Sequence, residues 1–283
     1  EVARLRAQLM HPHVSSHMSA HMSGHLGSSS VGYDANALAY IEAANLSDSA
    51  QKDAINTFVV GMKAASLWSS SLFKFIYPFI GGSESSHSIN LMSPGTFTIE
   101  FNGTMTHDAN GVQWDGASYG DTNFVPWDHL TQNSEHYSFY SRSSTAGNGY
   151  DIGSAHLTGQ YQWSGIAFYN NDVYAFINNA NSATATVSVR VANGSGLWLA
   201  SRTSQNSLKL YNNDTKIGEN TDSNIWVRSN NNIYVGATNI GSPTQHTDRQ
   251  MAFASAGGGL DESQQLAFYT LVNALQLALG RAI

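Results

Sequence analysis

Short runs in which apolar and polar residues alternate, separated by turn signals, occupy residues 87–256 and constrain the fold more than any other feature. Alternating residues lie on opposite faces of a β-strand, so each run predicts a strand with one buried face. Many short strands of this kind predict an antiparallel sandwich or barrel. The alternating apolar positions are Phe97, Ile99, Phe101, Val187, Val189, Val191, Leu197, Leu199, Leu208, Leu210, Ile225, Val227, Ile233, Val235, Met251 and Phe253.

Two of the turns carry Asn-Asn-Asp, a sequence that favours a tight reversal of the chain. They are residues 170–172, within AFYNNDVYAF, and residues 212–214, within SLKLYNNDTKIG. Asn and Asp tolerate a positive φ better than most residues, so both segments predict the tips of β-hairpins.

Helical patterns flank the β region on both sides. Residues 34–80 are predicted to be helical, with Asp34 capping a first helix and Ser47 or Asp48 capping a second. The apolar run LWSSSLFKFIYPFI (67–80) is expected to dock this segment against the main domain. Residues 261–281 predict a closing helix capped by Asp261, with an apolar face too broad for a helix that lies alone on the surface. The chain thus divides into a segment 1–33, a helical lead-in 34–82 and a β-sandwich 83–283.

Residues 1–33 predict a short stalk. Val2, Leu5 and Leu9 form an a/d seam of about one heptad, typical of the end of a coiled coil or of a single amphipathic helix. Residues 11–26 then alternate between a polar, His-rich face and a mostly apolar face, which is the period of a strand. A lone strand cannot pair its backbone groups, so identical chains around a threefold axis are expected to supply the partners. The predicted assembly is a homotrimer.

Histidines on the polar face of this segment suggest a metal site on the trimer axis. His11 and His13 point the same way in a strand, and three chains would bring six imidazoles together. Imidazole suits Fe, Ni or Zn. In the alternative arrangement the apolar face occupies the axis, as burial favours. The weaker ligand candidates are His17, His21 and His25.

Composition excludes several classes of partner. Charged residues make up 12% of the 283 residues, about half the usual share, and the net charge is −7. The 13 Lys and Arg are scattered, whereas nucleic-acid binders carry a basic patch. No apolar run reaches the length of about 18 residues that spans a bilayer. Without cysteine, disulfides and thiolate metal sites are excluded.

Five segments of the chain resemble a known family. They are FKFIYPFIGG, which ends at Gly82, WDGASYGDTNFVP (114–126), HYSFYSRSST (136–145), IYVGATN (233–239) and DRQMAFASAGGGLDESQQLAFYTLVNALQLALGR (248–281). Over about residues 34–283 the chain resembles the concanavalin A-like lectin/glucanase domain of phage structural and tail-fibre proteins. The resemblance implies a jelly-roll β-sandwich that is displayed on a virion and contacts carbohydrate. It implies no defined catalytic set.

The residues do not favour catalysis. Glucanases of this fold use a strand bearing E-x-D-x-x-E, which provides two carboxylates, and no such run occurs here. Glu100 and Glu135 stand alone and are interpreted as exposed or edge carboxylates. The G-x-S-x-G match at 116–120 lacks the following helix that a nucleophile elbow requires. We therefore predict that the chain is not an enzyme.

A ligand site is predicted in the polar loops of the sandwich. Sugar sites combine an aromatic surface, which contacts the apolar face of a pyranose ring, with polar groups that hydrogen-bond its hydroxyls. Trp198 lies inside a strand and is expected to pack there. The predicted binding residues are Trp114, Asp115, Tyr119, Asp121, Asn123, Trp127, Trp163, Tyr169, Asn170 and Asn171.

Together these features predict the distal adhesin of a virion fibre. Its partners would be a host-surface glycan and, through the stalk, other virion proteins. Two alternatives stay open: a structural head fibre or decoration protein without ligand chemistry, and a secreted bacterial carbohydrate-binding module.

Overall fold

The computed structural model describes residues 32–145, 147–157, 161–180, 186–222 and 227–283. Residues 33–283 form one compact unit. The predicted stalk, its coiled coil and its His-rich strand lie outside the described residues. None of the helices in the described ranges is long and apolar enough to cross a membrane.

Two sheets form the sandwich in the described ranges, and their strands pair antiparallel except for one short parallel contact. The predicted mainly β sandwich is therefore confirmed. Sheet A contains, in spatial order, β13 (Thr215–Asn220), β12 (Ser207–Asn212), β11 (Gly196–Ser204), β6 (Glu135–Ser141), β17 (Gln250–Gly257), β4 (Gly111–Gln113) and β3 (Thr106–Asp108), with β1 (Phe75–Tyr77) also paired to β17. Sheet B contains β10 (Val187–Arg190), β9 (Asp172–Ala180), β8 (Tyr161–Tyr169), β7 (Gly149–Leu157), β14 (Tyr234–Val235), β5 (Tyr119–Asp121) and β2 (Glu100–Asn102), with β15 (Thr238–Asn239) and β16 (Pro243–Thr244) beside β7.

The central strands of sheet A are buried on both faces. In β11, Trp198 and Ala200 pack in the core between the two sheets, whereas Leu197 and Leu199 pack in a second core beneath helices. All seven residues of β6 are buried. Strands covered on both faces become continuously apolar, which explains sequences such as LWLA in β11.

Helices cover the outer face of sheet A. Phe253 of β17 lies 6.1 Å from Phe58 of the second helix and 5.8 Å from Phe268 of the last helix, measured between ring centroids. A Cβ at Gly61 would lie 2.5 Å from a methyl group of Leu271, so this glycine lets the two helices approach closely. The helices are α1 (Ala35–Ala43), α2 (Ser49–Ala64), α3 (Glu84–His87), α4 (Pro126–His129) and α5 (Glu262–Ala278).

The predicted helix caps are confirmed. The side chains of Asp34, Asp48 and Asp261 each accept a hydrogen bond from a backbone N–H in the first turn of α1, α2 and α5. At α5 the backbone N–H of Asp261 also donates to the side chain of Gln264, which completes a capping box. Of the two caps proposed for α2, the structure uses Asp48.

The prediction of helix over residues 34–80 is wrong beyond Ala64. Residues 75–77 instead form β1, which pairs with β17. Phe75 and Tyr77 face the core between the sheets, and Ile76 faces the helical core. The residues on both faces of β1 are apolar, so the sequence shows no alternation between polar and apolar positions. Without that alternation the strand could not be recognised from its pattern.

The alternation predicted for Met251 and Phe253 is wrong, because a β-bulge interrupts β17 between them. Met251 and Phe253 were expected on one face, but Met251 pairs with Ser141 and Phe253 with the adjacent Tyr140. The extra residue, Ala252, moves Phe253 to the helical core while Met251 stays in the core between the sheets.

Candidate ligand-binding site

The outer face of sheet B carries a cleft. In β8, Ile166 and Phe168 face the core between the sheets, so Ala167 between them faces outwards. The small side chain of Ala167 lines the cleft, and larger residues of β7, β8 and β9 surround it. The cleft has a volume of about 460 Å³, within the range of about 300–1,000 Å³ that is typical of small-molecule sites.

Aromatic rings form the walls of this cleft. Tyr150 stacks on Trp163 at 5.4 Å and lies 6.0 Å from Phe176, measured between ring centroids. Tyr174 and Phe176 are parallel to within 8° at 6.0 Å. Tyr169 is 58% exposed at the rim. The lining residues are Asn148, Gly149, Tyr150, Trp163, Ala167, Phe168, Tyr169, Tyr174, Phe176, Gln245 and His246.

A bulge in β7 places Tyr150 in the cleft. Tyr150 pairs with Ala167, whereas Ile152 pairs with the adjacent Ile166, so Asp151 is an extra residue. Without the bulge Tyr150 and Ile152 would face the same side. With it, Ile152 enters the core and the Tyr150 ring faces outwards.

The bulge residue is held by a buried ion pair. The carboxylate of Asp151 lies 3.3 Å from Arg249 Nε and accepts a hydrogen bond of 3.1 Å from the Thr247 hydroxyl. The guanidinium carbon of Arg249 lies 3.9 Å from the centroid of the Phe168 ring. Burial raises the pKa of Asp151, while Arg249 and Thr247 limit the rise. This carboxylate anchors the strand and does not reach the cleft.

The predicted hairpin between β8 and β9 is confirmed and borders the cleft. Asn170 and Asn171 have φ of 52° and 66° and form its exposed tip. The Asn170 N–H donates to Asn148 Oδ1 at 2.9 Å, which ties the tip to a lining residue. Arg190 donates to the Asn170 carbonyl at 2.8 Å and lies 3.7 Å from the Asp172 carboxylate.

Polar residues close the other side of the cleft. The Tyr150 N–H donates to the Gln245 carbonyl at 2.7 Å, which fixes the loop that carries His246. Burial lowers the pKa of His246, and nearby Asp115 opposes this effect only in part. The imidazole is therefore neutral at pH 7. Its ring centroid lies 6.2 Å from that of Tyr119.

Five predicted binding residues lie in or beside the cleft. Trp163 and Tyr169 line it. Asn170 and Asn171 form the hairpin tip that follows Tyr169. Tyr119 lies beside the ring of His246, which lines the cleft.

The predicted polar residues of the GDTN loop are engaged within the protein. Asp121 accepts hydrogen bonds from the Asn232 amide at 3.0 and 3.2 Å and from the Asn123 N–H at 2.8 Å. Ser118 and backbone N–H groups hold the pKa of Asp115 below its usual range. These side chains shape turns near Tyr119 and do not line the cleft.

The prediction for Trp114 is wrong, because its ring is only 1% exposed and packs between the sheets. Trp114 lies two residues after the buried Val112, and its backbone N–H donates to the Arg249 carbonyl at 3.1 Å, so it continues the pattern of β4. A Cβ at Gly236 would lie 2.6 Å from the Trp114 ring, so the glycine makes room for it.

Trp127 is exposed but lies away from the cleft. It is in α4, 47% exposed, with the Arg228 guanidinium 5.1 Å from its ring centroid. The following loop meets the far end of β9, where the Asn178 amide donates to the Gln132 carbonyl at 2.9 Å. The cleft lies near the start of β9, at Tyr174.

Sequence reasoning missed most of the aromatic wall. Tyr150, Tyr174, Phe176 and His246 line the cleft and were not predicted. A signal was present in DVYAFI, where aliphatic residues occupy one face of the strand and the two aromatic residues therefore occupy the other.

Glu135 is fully buried, which corrects its interpretation as an exposed or edge carboxylate. Its strand, β6, lies between β11 and β17. The carboxylate accepts hydrogen bonds from the Tyr137 hydroxyl at 2.8 Å and the Asn178 amide at 2.7 Å. Burial raises the pKa of Glu135 to about 7, partly opposed by these donors.

The predicted metal ligands His11, His13, His17, His21 and His25 lie outside the described residues. Within the described ranges, no three or more His, Cys, Asp or Glu side chains are grouped so that they could hold a metal ion.

No protein-family model matches the chain, and no curated protein matches its sequence. Solved structures match the chain at low identity. The binding domain of botulinum neurotoxin serotype D is 7% identical, covers 71% of this chain and 52% of its own, and has a TM-score of 0.47. The Ruminococcus gnavus IT-sialidase CBM40 bound to α2,3 sialyllactose is 13% identical, covers 48% of this chain and 82% of its own, and has a TM-score of 0.39.

The NanB sialidase from Streptococcus pneumoniae is also similar. It is 10% identical, with 57% of this chain covered and a TM-score of 0.41. The match spans about a quarter of the sialidase, 26% of its length. Similarities at this level transfer no residue role to this chain.

Proposed function

We propose that the chain is a non-catalytic carbohydrate-binding β-sandwich whose cleft on the outer face of sheet B binds a glycan. One observation carries the proposal: Trp163, Tyr174 and Phe176 keep partly exposed rings around a cleft of about 460 Å³. Exposed aromatic residues that cluster in this way are characteristic of binding sites.

The cleft has the chemistry that a sugar requires. Aromatic faces contact the apolar C–H face of a pyranose ring, and few polar groups then fix its orientation. The amides of Asn148 and Gln245 and the hairpin amides of Asn170 and Asn171 stand at the rim. Because the bulge and the hairpin hold these residues, little ordering is needed on binding.

The two carboxylates with raised pKa values have structural roles. Glu135 is hydrogen-bonded inside sheet A, and Asp151 is paired with Arg249 behind the cleft. Neither reaches a sugar in the cleft, so neither provides the pair that glycoside hydrolysis requires. This supports binding without turnover.

A glycan array probed with the full chain tests this proposal. Phe176→Ala should abolish the signals, because it removes a wall of the cleft. Trp127→Ala is the matched control, since it removes an exposed aromatic residue elsewhere, and it should keep the signals. Loss of binding in Trp127→Ala alone would place the site at α4, and an array without signals would refute glycan binding.

We also propose that the sandwich is the distal part of a homotrimeric virion fibre, attached to other virion proteins through residues 1–33. The alternation of residues 11–26 and the family resemblance support this placement. The cleft serves a secreted bacterial carbohydrate-binding module equally well, and a head fibre or decoration protein would not need it. Light scattering of the full chain distinguishes the assemblies: a trimer favours the fibre, and a monomer favours the secreted module.

An axial Fe, Ni or Zn ion held by His11 and His13 of three chains remains part of the fibre proposal. Elemental analysis of the purified full chain should find about one metal ion per three chains. The ion should be lost in the double variant His11→Ala, His13→Ala and retained in His25→Ala. Absence of metal from the wild-type protein would contradict the metal site and favour the alternative, in which the apolar face of residues 11–26 lies on the trimer axis.

A further inference from the structure

A second aromatic pair extends the binding face beyond the cleft. Tyr234 of β14 and Tyr119 of β5 stack at 4.5 Å with an angle of 27°. Val235, next to Tyr234, faces the core between the sheets, so Tyr234 faces outwards. Its partner in β7 is Gly153.

The two aromatic groups adjoin each other across β7. A Cβ at Gly153 would lie 2.8 Å from Tyr150 Cδ1, so the Tyr150 ring lies over this glycine, beside Tyr234. His246 lines the cleft and also lies 6.2 Å from Tyr119. Across β7, the Tyr150 ring of the cleft is therefore the side chain next to the tyrosine pair.

The combined aromatic strip crosses five neighbouring strands, β9, β8, β7, β14 and β5. Four spacings of about 4.8 Å give a length of about 19 Å from Tyr174 to Tyr119. A single pyranose ring occupies only part of such a strip. Its length fits a chain of several sugars that lies across the strands.

The charges around the strip disfavour an anionic ligand. Asp121 lies on the outer face beside Tyr234, and Glu100 lies opposite Asp121 in the next strand. At the other end, Arg190 is engaged by Asp172 and by a hairpin carbonyl. The cleft residues themselves are aromatic, amide and imidazole side chains.

We propose that the ligand is an extended, uncharged oligosaccharide that lies across the strands from Tyr174 to Tyr119. This inference rests on the proposed glycan-binding function. It adds a minimum length for the oligosaccharide and the absence of charge on it, neither of which the cleft alone specifies.

Calorimetric titration with cello-, chito- and maltooligosaccharides of one to six sugars tests the length. In a series that binds, affinity should rise up to about four sugars and then level off. Tyr119→Ala should weaken binding of the four-sugar probe about tenfold through lost stacking, and it should leave binding of the two-sugar probe unchanged. Tyr119→Phe should restore binding, which excludes a folding defect.

Matched probes test the charge class. Lacto-N-neotetraose should bind at least about tenfold more tightly than its α2,3-sialylated form, because acidic residues flank the strip. Tighter binding of the sialylated form would overturn the charge class.

Different results separate this inference from the function on which it rests. Equal affinity for one and four sugars, with binding still lost in Phe176→Ala, would overturn the extended ligand and keep the cleft. Absence of binding by every probe, including the array, would overturn both.

Discussion

The two sheets of the sandwich use aromatic residues in opposite ways. In sheet A, Trp198 faces the core between the sheets and Phe253 faces the helices, and both are buried. In sheet B, Phe168 faces the same inner core, but Trp163 and Phe176 face outwards and stay partly exposed. Aromatic residues are therefore buried on both faces of sheet A, whereas in sheet B those of the inner face are buried and Trp163 and Phe176 on the outer face are partly exposed.

The difference shows that the presence or absence of covering helices decides whether the outward-facing aromatic residues of a sheet serve stability or binding. Helices bury the outer face of sheet A, so its aromatic residues contribute transfer free energy. On the outer face of sheet B, Trp163, Tyr174 and Phe176 stay partly exposed and contribute less of this free energy, and a cluster of partly exposed rings indicates a binding surface. Substitutions in the two sheets should consequently separate stability from binding.

The largest effect is expected for Phe253→Ala in sheet A. Loss of this ring between α2 and α5 should lower the free energy of unfolding by about 3–5 kcal/mol, while the folded fraction keeps its glycan affinity. Leu266→Ala, at a residue 51% exposed on α5, is the control and should change stability by less than about 0.5 kcal/mol. Urea unfolding measures both, and equal effects would contradict the helical core.

A pH effect of about 3 kcal/mol is expected from the buried carboxylate of sheet A. The pKa of Glu135 rises from its usual 4.5 to about 7. Between these values the folded state keeps a proton that the unfolded state has lost, so the contribution of Glu135 to the free energy of unfolding should fall as pH rises. The gap corresponds to about 3 kcal/mol.

Urea unfolding from pH 4.5 to 7 measures this contribution as the difference in pH dependence between the wild type and Glu135→Gln. Burial lowers the pKa of His87 to about 3 and that of His136 to about 4, so both contribute an increase of opposite sign, which is the same in the two proteins. Asp151 contributes a decrease of the same sign, which remains in the variant. Asp115→Asn is the control on the sheet B side. Because the pKa of Asp115 lies below its usual range, it stays ionised throughout and its removal should leave the slope unchanged. An unchanged slope in Glu135→Gln would contradict the assignment.

Tyr174→Ala in sheet B should lower glycan affinity and largely keep stability, the opposite of the result expected for Phe253→Ala. Its ring is partly exposed, so the loss of stability should stay below about 1 kcal/mol. Affinity for the best glycan should fall about tenfold to hundredfold, which corresponds to about 1.4–2.8 kcal/mol. Calorimetry and urea unfolding of one preparation give both values. A large loss of stability with unchanged affinity would make this face structural.

The smallest effect is expected at the cap of α5. Asp261→Ala should lower the free energy of unfolding by about 1 kcal/mol, because it removes the capping box that begins the covering helix. Asp261→Asn keeps an acceptor and should recover most of the loss. Thermal unfolding checks the order of the three proteins, and glycan affinity should be equal in all of them.

Local patterns in the sequence were sufficient for the antiparallel, mainly β class, the caps at Asp34 and Asp261, and the hairpin at Asn170 and Asn171, whereas the sandwich itself was implied by the family resemblance. These features depend on period and on turn or cap chemistry, which act over a few residues. Trp163 and Tyr169, which line the cleft, were predicted because they lie in or beside polar loops of the sequence.

Features that depend on distant layers could not be predicted in this way. Trp114 sits in a segment rich in turn residues, yet it belongs to the core because its strand continues past the end of β4. Strand β1 lacks polar positions because a helical layer covers it. The position of Tyr150 depends on a bulge that is held by Arg249, the residue before β17, about a hundred residues later in the chain.

Hydrogen–deuterium exchange of the full chain, with and without the glycan that binds most tightly on the array, tests the central claim most directly. If the outer face of sheet B is the binding surface, the glycan should slow exchange in residues 148–150, 167–176 and 245–246 and leave α2 and α5 unchanged. Slower exchange confined to the helical layer or to residues 126–134, or no bound glycan at all, would contradict it.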